Sequence, residues 1–75
     1  MDVVRVMESL AEQGATVLFK VDAERMRDGM KPWTFVASGA PFRGDLLVRT
    51  EAVSLEACLE VCLPQLRELG AVIPD

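Results

Sequence analysis

Three short runs that alternate apolar with polar residues, each closed by glycine, proline or acidic turn residues, set the strongest constraint on this chain. In ATVLFKVD, from Ala15, the residues Val17, Phe19 and Val21 fall on one side. In WTFVAS, Trp33, Phe35 and Ala37 alternate with Thr34, Val36 and Ser38, and in LLVRT, Leu46, Val48 and Thr50 alternate with Leu47 and Arg49. A period of two in β-branched and aromatic residues predicts strands with one buried face. AERMRDGMKP, with Asp28-Gly29 and Pro32 as breakers, reads as a long turn region, and GAPFRG as a second turn.

The strands are bracketed by two helical patterns. Residues 2–13 offer Asp2 as N-cap, an apolar stripe at Val3, Val4, Met7, Leu10 and Ala11, and Gly14 as the stop. SLEACLEVCLPQLRELG offers Ser54 as N-cap, Glu56 near the positive end of the helix dipole, and Gly70 as the stop. Its stripe is Leu55, Leu59, Cys62, Leu66 and Leu69. Pro64 falls inside it and is expected to kink the helix, because the proline ring meets the carbonyl of Glu60.

The expected fold is therefore α+β, in the order α-β-β-β-α. A three-stranded antiparallel sheet carries both helices packed on one face, and residues 1–75 form a single small domain. A 75-residue chain has a marginal core. Its 51% apolar content exceeds the ordinary range, so either the core is dense or some apolar surface is reserved for a second chain. The face away from the helices collects Thr16, Leu18, Lys20, Thr34, Val36, Ser38, Leu47 and Arg49. Leu18, Val36 and Leu47 form a small apolar patch there, rimmed by hydroxyls, Lys20 and Arg49, which is the make-up of an interface.

Charge points to the same side. Lys20, Arg25, Arg27, Lys31, Arg43 and Arg49 outnumber the acids in the strand region, whereas Glu8, Glu12, Glu56, Glu60 and Glu68 make the helices acidic. A mildly basic sheet side would steer an acidic partner towards it. The overall balance of −4 argues against whole-surface attraction to nucleic acid or anionic membrane. The opening MDVVRVMESLAEQG lacks a basic region followed by an unbroken apolar run, and no stretch approaches a membrane span, so the expected location is cytoplasmic.

Chemistry-bearing patterns are sparse. With no His and no Tyr, His-based nucleophile activation and His-ligated metals are excluded. Cys58 and Cys62 lie four apart, which on a helix separates their Cβ atoms by about 5–6 Å, beyond the ~3.5–4.5 Å of a disulfide. They read as small buried hydrophobes, with a redox pair or a zinc site shared between two chains as the alternatives. Glu56 and Glu60 read as a solvated helix face, Arg43-Gly44-Asp45 as a turn, and SGAPFRG lacks the spacing of a phosphate loop. Met26 and Met30 read as closing over the core edge, with an adaptable contact as the other reading. No cofactor is implied.

The α-β-β-β-α order is similar to that of the double-stranded-RNA-binding domain. That family presents a basic cluster where this chain reads SLEACLE, and its Gly-Pro-x-His element has no counterpart here. VSLEACLEVCL resembles the capped helix that follows a strand meander in small antitoxin domains, although any capped amphipathic helix shows that pattern. The reading that results is a small non-catalytic protein-interaction module, a regulator, inhibitor or immunity/antitoxin-like protein. It would bind a protein through Leu18, Lys20, Val36, Leu47 and Arg49, with Arg25, Arg27 and Arg43 on the flanking loops at 23–32 and 39–44. A homodimer through the same face is compatible with this. The alternative is a nucleic-acid-binding domain using the basic sheet-side loops, which the lack of an aromatic on that face disfavours.

Overall fold

A computed structural model of the protein describes residues 2–42 and 46–74. Its elements are α1 (Val3–Glu12), β1 (Ala15–Val21), α2 (Ala23–Arg27), β2 (Trp33–Gly39), β3 (Leu47–Ala52) and α3 (Leu55–Glu68). The strands form one antiparallel sheet in the order β1-β2-β3. The α+β class and the three-stranded meander are therefore as expected. The element order is not, because α2 interrupts the segment read as a long turn.

Local sequence accounts for α2. The Asp22 carboxylate accepts hydrogen bonds from the backbone N–H groups of Glu24 and Arg25, at 2.9 and 3.1 Å. Glu24 lies in the first turn, with Arg25 and Arg27 in the last, complementing the helix dipole. At five residues the helix is too short to show apolar periodicity, and Gly29 and Pro32 follow closely enough to disguise it as a turn. The chain is then closed by Met30 N–H donating to Arg25 O at 2.9 Å, and by Asp22 N–H donating to Pro32 O at 3.0 Å.

The register places Val17, Ala37 and Val48 in one cross-strand row and Phe19, Phe35 and Thr50 in the next. Phe19 and Phe35 tilt against each other with ring centroids 4.7 Å apart, a favourable aromatic geometry. Ala15, Phe35, Ala37, Val48 and Ala52 share one core with Val6 and Leu10 of α1 and with Cys58, Leu59, Cys62, Leu63 and Leu66 of α3. Each fully buried aliphatic side chain contributes about 1.5–3 kcal/mol. On α1 the buried residues are Val6 and Leu10, with Val3 packed beside them, whereas Val4 is 62% exposed. The expected stripe was therefore rotated by part of a turn. Trp33 is only half-buried, whereas Phe42, in the turn after β2, is buried in the same core as Phe35.

Both long helices end as their sequences dictate. Asp2 caps α1 through Arg5 N–H, and Ser54 caps α3 through Ala57 N–H. At the end of α3, Gly70 N–H donates to Arg67 O and Ala71 N–H to Leu66 O, a Schellman motif that needs the positive φ of Gly70 (108°). The motif turns Ala71 and Ile73 back into the core. There the Gln13 carboxamide holds Val72, accepting from its N–H at 2.9 Å and donating to its carbonyl at 2.7 Å. Gly39 is fixed by close packing, since a Cβ there would lie 2.6 Å from the carbonyl oxygen of Gly14. Pro64 sits within α3, which runs on to Glu68. Both Pro64 and Glu60 are exposed, so water can take the carbonyl that proline leaves without a donor.

Thr50 lies on the core face with its Oγ1 buried and without a hydrogen-bond partner. Burying a hydroxyl unpaired opposes folding, and valine keeps both the shape and the strand propensity. Thr50→Val is therefore expected to stabilise the protein by about 1 kcal/mol, read as a rise in the midpoint of urea unfolding. An unchanged or lower midpoint would show that the hydroxyl is satisfied.

Candidate functional site

Side chains alternate across the sheet, so packing one face against α1 and α3 leaves Thr16, Leu18 and Lys20 of β1 on the other. They share that face with Thr34, Val36 and Ser38 of β2 and with Leu47, Arg49 and Glu51 of β3. Its rows are Thr16–Ser38–Leu47, Leu18–Val36–Arg49 and Lys20–Thr34–Glu51. Leu18 and Val36 are direct cross-strand partners, and Leu47 is diagonal to Val36, within reach for side chains on one face. Leu18 is 51% exposed and Leu47 59%, with Val36 half-buried between them. The three aliphatic residues thus form one contiguous patch.

The other sequence-derived candidates divide. Lys20 and Arg49 flank the patch as expected. Arg25 reaches the Lys20–Thr34–Glu51 end of the same face from α2, placing Nη1 3.4 Å from Glu51 Oε2 in an ion pair without hydrogen-bond alignment. Arg27 is exposed at the end of α2 and joins no ion pair with another described residue. Arg43 lies outside the described residues, as does the rest of Arg43-Gly44-Asp45. Met26 and Met30 do not close over the core. They are 57% and 60% exposed, and Met30 lines an open groove of about 340 Å³ with Arg25, Lys31 and Glu51.

Glu51 is the residue that sequence reasoning missed. Its carboxylate accepts a 2.8 Å hydrogen bond from Arg49 Nη2 through Oε1 while Oε2 faces Arg25. Two of the cations that made the sheet side look basic are thereby partly neutralised. The strand alternation contained the signal, since Glu51 lies two residues beyond Arg49 and on the same face. The α2 segment also closes one end of the otherwise open face, where Thr34 is only 3% exposed although it points away from the helices. The open face is consequently narrower than the strand pattern implies and is centred on Leu18, Val36 and Leu47.

Ionisation follows from these contacts. The hydrogen bond from Arg49, then the charge of Arg25, hold the Glu51 carboxyl below its ordinary value of 4.5. The backbone N–H of Arg25, with smaller help from that of Glu24 and from Lys20, holds Asp22 below 3.8. Both groups are thus stable anions, unlike a general acid or base tuned towards neutrality. Burial raises the Cys58 thiol, which donates to the Thr50 carbonyl at 3.6 Å. Burial and the neighbouring Cys58 push Cys62 to about 12. Reactive cysteines show the opposite shift. Both thiols are free. Among the described residues no group of three or more His, Cys, Asp or Glu side chains is placed to hold a metal ion, and no helix is long and apolar enough to cross a membrane.

Comparisons with known protein families, with curated proteins and with solved structures find no match to this chain.

A depressed carboxyl pKa stabilises the fold above the unfolded-state value and loses that contribution as pH falls through the folded-state value. The strap formed by α2 and residues 28–32 is therefore secure at neutral pH and loosens only as acid carries the pH below the ordinary carboxyl range, through the lowered folded-state values of Glu51 and Asp22. Amide exchange at Met26 and Met30, corrected for intrinsic rates, is expected to accelerate over this range before exchange in α3 does. Glu51→Gln should bring part of the same loosening at pH 7. Equal protection of the strap in both proteins at both pH values would disprove the coupling.

Proposed function

We propose that this protein is a non-catalytic interaction module that engages a protein partner through the open face of its sheet. The contiguous patch of Leu18, Val36 and Leu47, set between Lys20 and Arg49 on the face away from α1 and α3, is the observation that carries this reading. An apolar centre with a polar and charged rim is how a protein interface is built. Lys20 and Arg49 favour a partner with acidic groups around an apolar anchor. Such a module fits the role of a regulator, inhibitor or immunity/antitoxin-like protein, in a cytoplasmic setting where Cys58 and Cys62 remain thiols.

The low pKa values of Asp22 and Glu51 and the high ones of the two cysteines support the absence of catalysis. Nucleic-acid binding is the weaker reading. Arg25 and Arg49 are turned towards Glu51, and the described part of the open face carries no aromatic side chain on which a base could stack.

The partner is sought by affinity capture from host lysate with and without nuclease, and binding is then measured with purified components. Leu18→Lys and Leu47→Lys are expected to weaken binding by at least about tenfold, which corresponds to 1.4 kcal/mol. Their circular dichroism should stay unchanged, since both side chains are already more than half exposed. Full affinity in both variants would place the binding surface elsewhere, and capture of nuclease-sensitive material alone would favour the nucleic-acid reading.

A further inference from the structure

The sheet ends on β3, and that edge has a pattern that matches itself. We propose that β3 pairs antiparallel with β3 of a second copy of this chain, about a two-fold axis at Thr50, so that two three-stranded sheets become one continuous sheet. The occupant is specified by charge. In this register Arg49 faces Glu51 of the second copy, and Glu51 faces its Arg49. Leu47 faces Val53 of the second copy where the pairing runs one residue past Ala52, the last residue of β3, and these residues are 59% and 68% exposed in the single chain. Opposite charges and apolar side chains placed directly across an antiparallel pair each stabilise it. Within one chain Arg49 already bonds Glu51 along the strand, so pairing closes a ring of two cations and two anions with no like charges opposed.

The other outer strand lacks this property. β1 reads ATVLFKV, with Lys20 as its one charged residue and no acid to oppose it. A lysine on an exposed edge is also a common guard against strand pairing.

Strand pairing alone buries less than the roughly 1,200–2,000 Å² of a stable interface, and α3 supplies further contact. Cys58 donates to the Thr50 carbonyl, so the flank of α3 carrying Cys58 lies over β3. Ala57, Val61 and Gln65 follow at intervals of four on that flank. These three positions carry no charge, the first charge on the flank being Glu68 at the helix end, and Val61 is 59% exposed, whereas Leu63 on the opposite flank is buried. With two β3 strands side by side, these flanks approach each other across the same axis. The dimer shares Leu47 and Arg49 with the proposed partner-binding patch, whereas Leu18 lies on β1, at the far edge of the sheet, and reports on that patch alone.

Sedimentation equilibrium of the full chain from about 1 to 500 µM tests this, with circular dichroism confirming the fold of every variant. The expected species has twice the single-chain mass of 8.2 kDa. Glu51→Arg sets like charges across the axis, and Val61→Glu charges the α3 flank; each is expected to raise the dimer dissociation constant at least about tenfold. The double variant Arg49→Glu/Glu51→Arg restores opposite charges in the same register and should return the constant to within about threefold of the original. Arg25 is the same in the single and double variants, so its contact with residue 51 does not account for the rescue. Leu18→Lys should leave the dimer intact. A monomer across the whole range, a dimer indifferent to Glu51→Arg and Val61→Glu, a charge swap that fails to rescue, or a dimer lost on Leu18→Lys would each overturn the proposal.

Discussion

The seating of α3 on the inner face of β2 and β3 is the contact on which the rest of this small fold depends. Cys58, Cys62 and Leu66, among the most deeply buried side chains, join Phe35, Ala37 and Val48 in one cluster. α1 then adds Val6 and Leu10 to the same cluster, and the Schellman turn at Gly70 sends Ala71 and Ile73 back into it. Both ends of the chain, α1 and the residues after α3, are thus tied to one side of one sheet. The cysteines suit this position because they are small, and burial keeps them protonated as well as packed.

A sheet covered on one side presents its other side to solvent, and the chain treats the two ends of that side differently. At the Lys20–Thr34–Glu51 end, α2 folds across and Arg25 meets Glu51, leaving Thr34 buried with its hydroxyl unpaired. At the Leu18–Val36 and Leu47 end nothing among the described residues does the same. The difference is energetic as well as geometric. Exposed ion pairs such as Arg25–Glu51 and Arg49–Glu51 hold a segment in place without adding much stability. They are consequently suited to trimming a surface and poorly suited to replacing a core. The apolar residues left beyond the strap contribute little to this single-chain fold, and they are the ones on which the proposed association rests.

The fold was legible where the sequence stated a period and a cap together. Asp2 and Gly14 bound α1, Ser54 and Gly70 bound α3, and alternation fixed both the strands and the faces they present. What escaped had a local physical cause in each case. In α1, Val3, Val4 and Val6 offer overlapping stripes, and only the direction of the sheet selects Val6 over Val4. In α2 the signal is a cap and a dipole arrangement without periodicity, and breakers follow at once. Phe42 occupies a Gly/Pro-flanked turn, a context that suggests exposure, yet the turn folds under and buries the ring. For the candidate surface, strand parity placed Leu18, Val36, Leu47, Lys20 and Arg49 on a common face. It could not foretell that Arg25 would come over the edge to Glu51, because that contact depends on where α2 lands.

Glu51 joins these levels. As a strand residue it continues the outward row of Leu47 and Arg49; as an anion it anchors the α2 strap and orients Arg49; and its place one residue beyond Thr50 mirrors that of Arg49 one residue before it. Within a single chain the contact with Arg25 calls for the acid at position 51, but nothing there calls for a base at the matching position before Thr50 other than its bond to Glu51. For two antiparallel copies the charged pair selects one register, since a slip by two residues brings like charges together or leaves a charge unopposed. The apolar residues bordering the pair, Leu47 and Val53, obey the same symmetry. An edge strand built to avoid association would carry charges of one sign or a proline in these positions. β3 carries opposite charges flanked by exposed aliphatics, and that arrangement admits its own copy while discouraging strands without the complementary order.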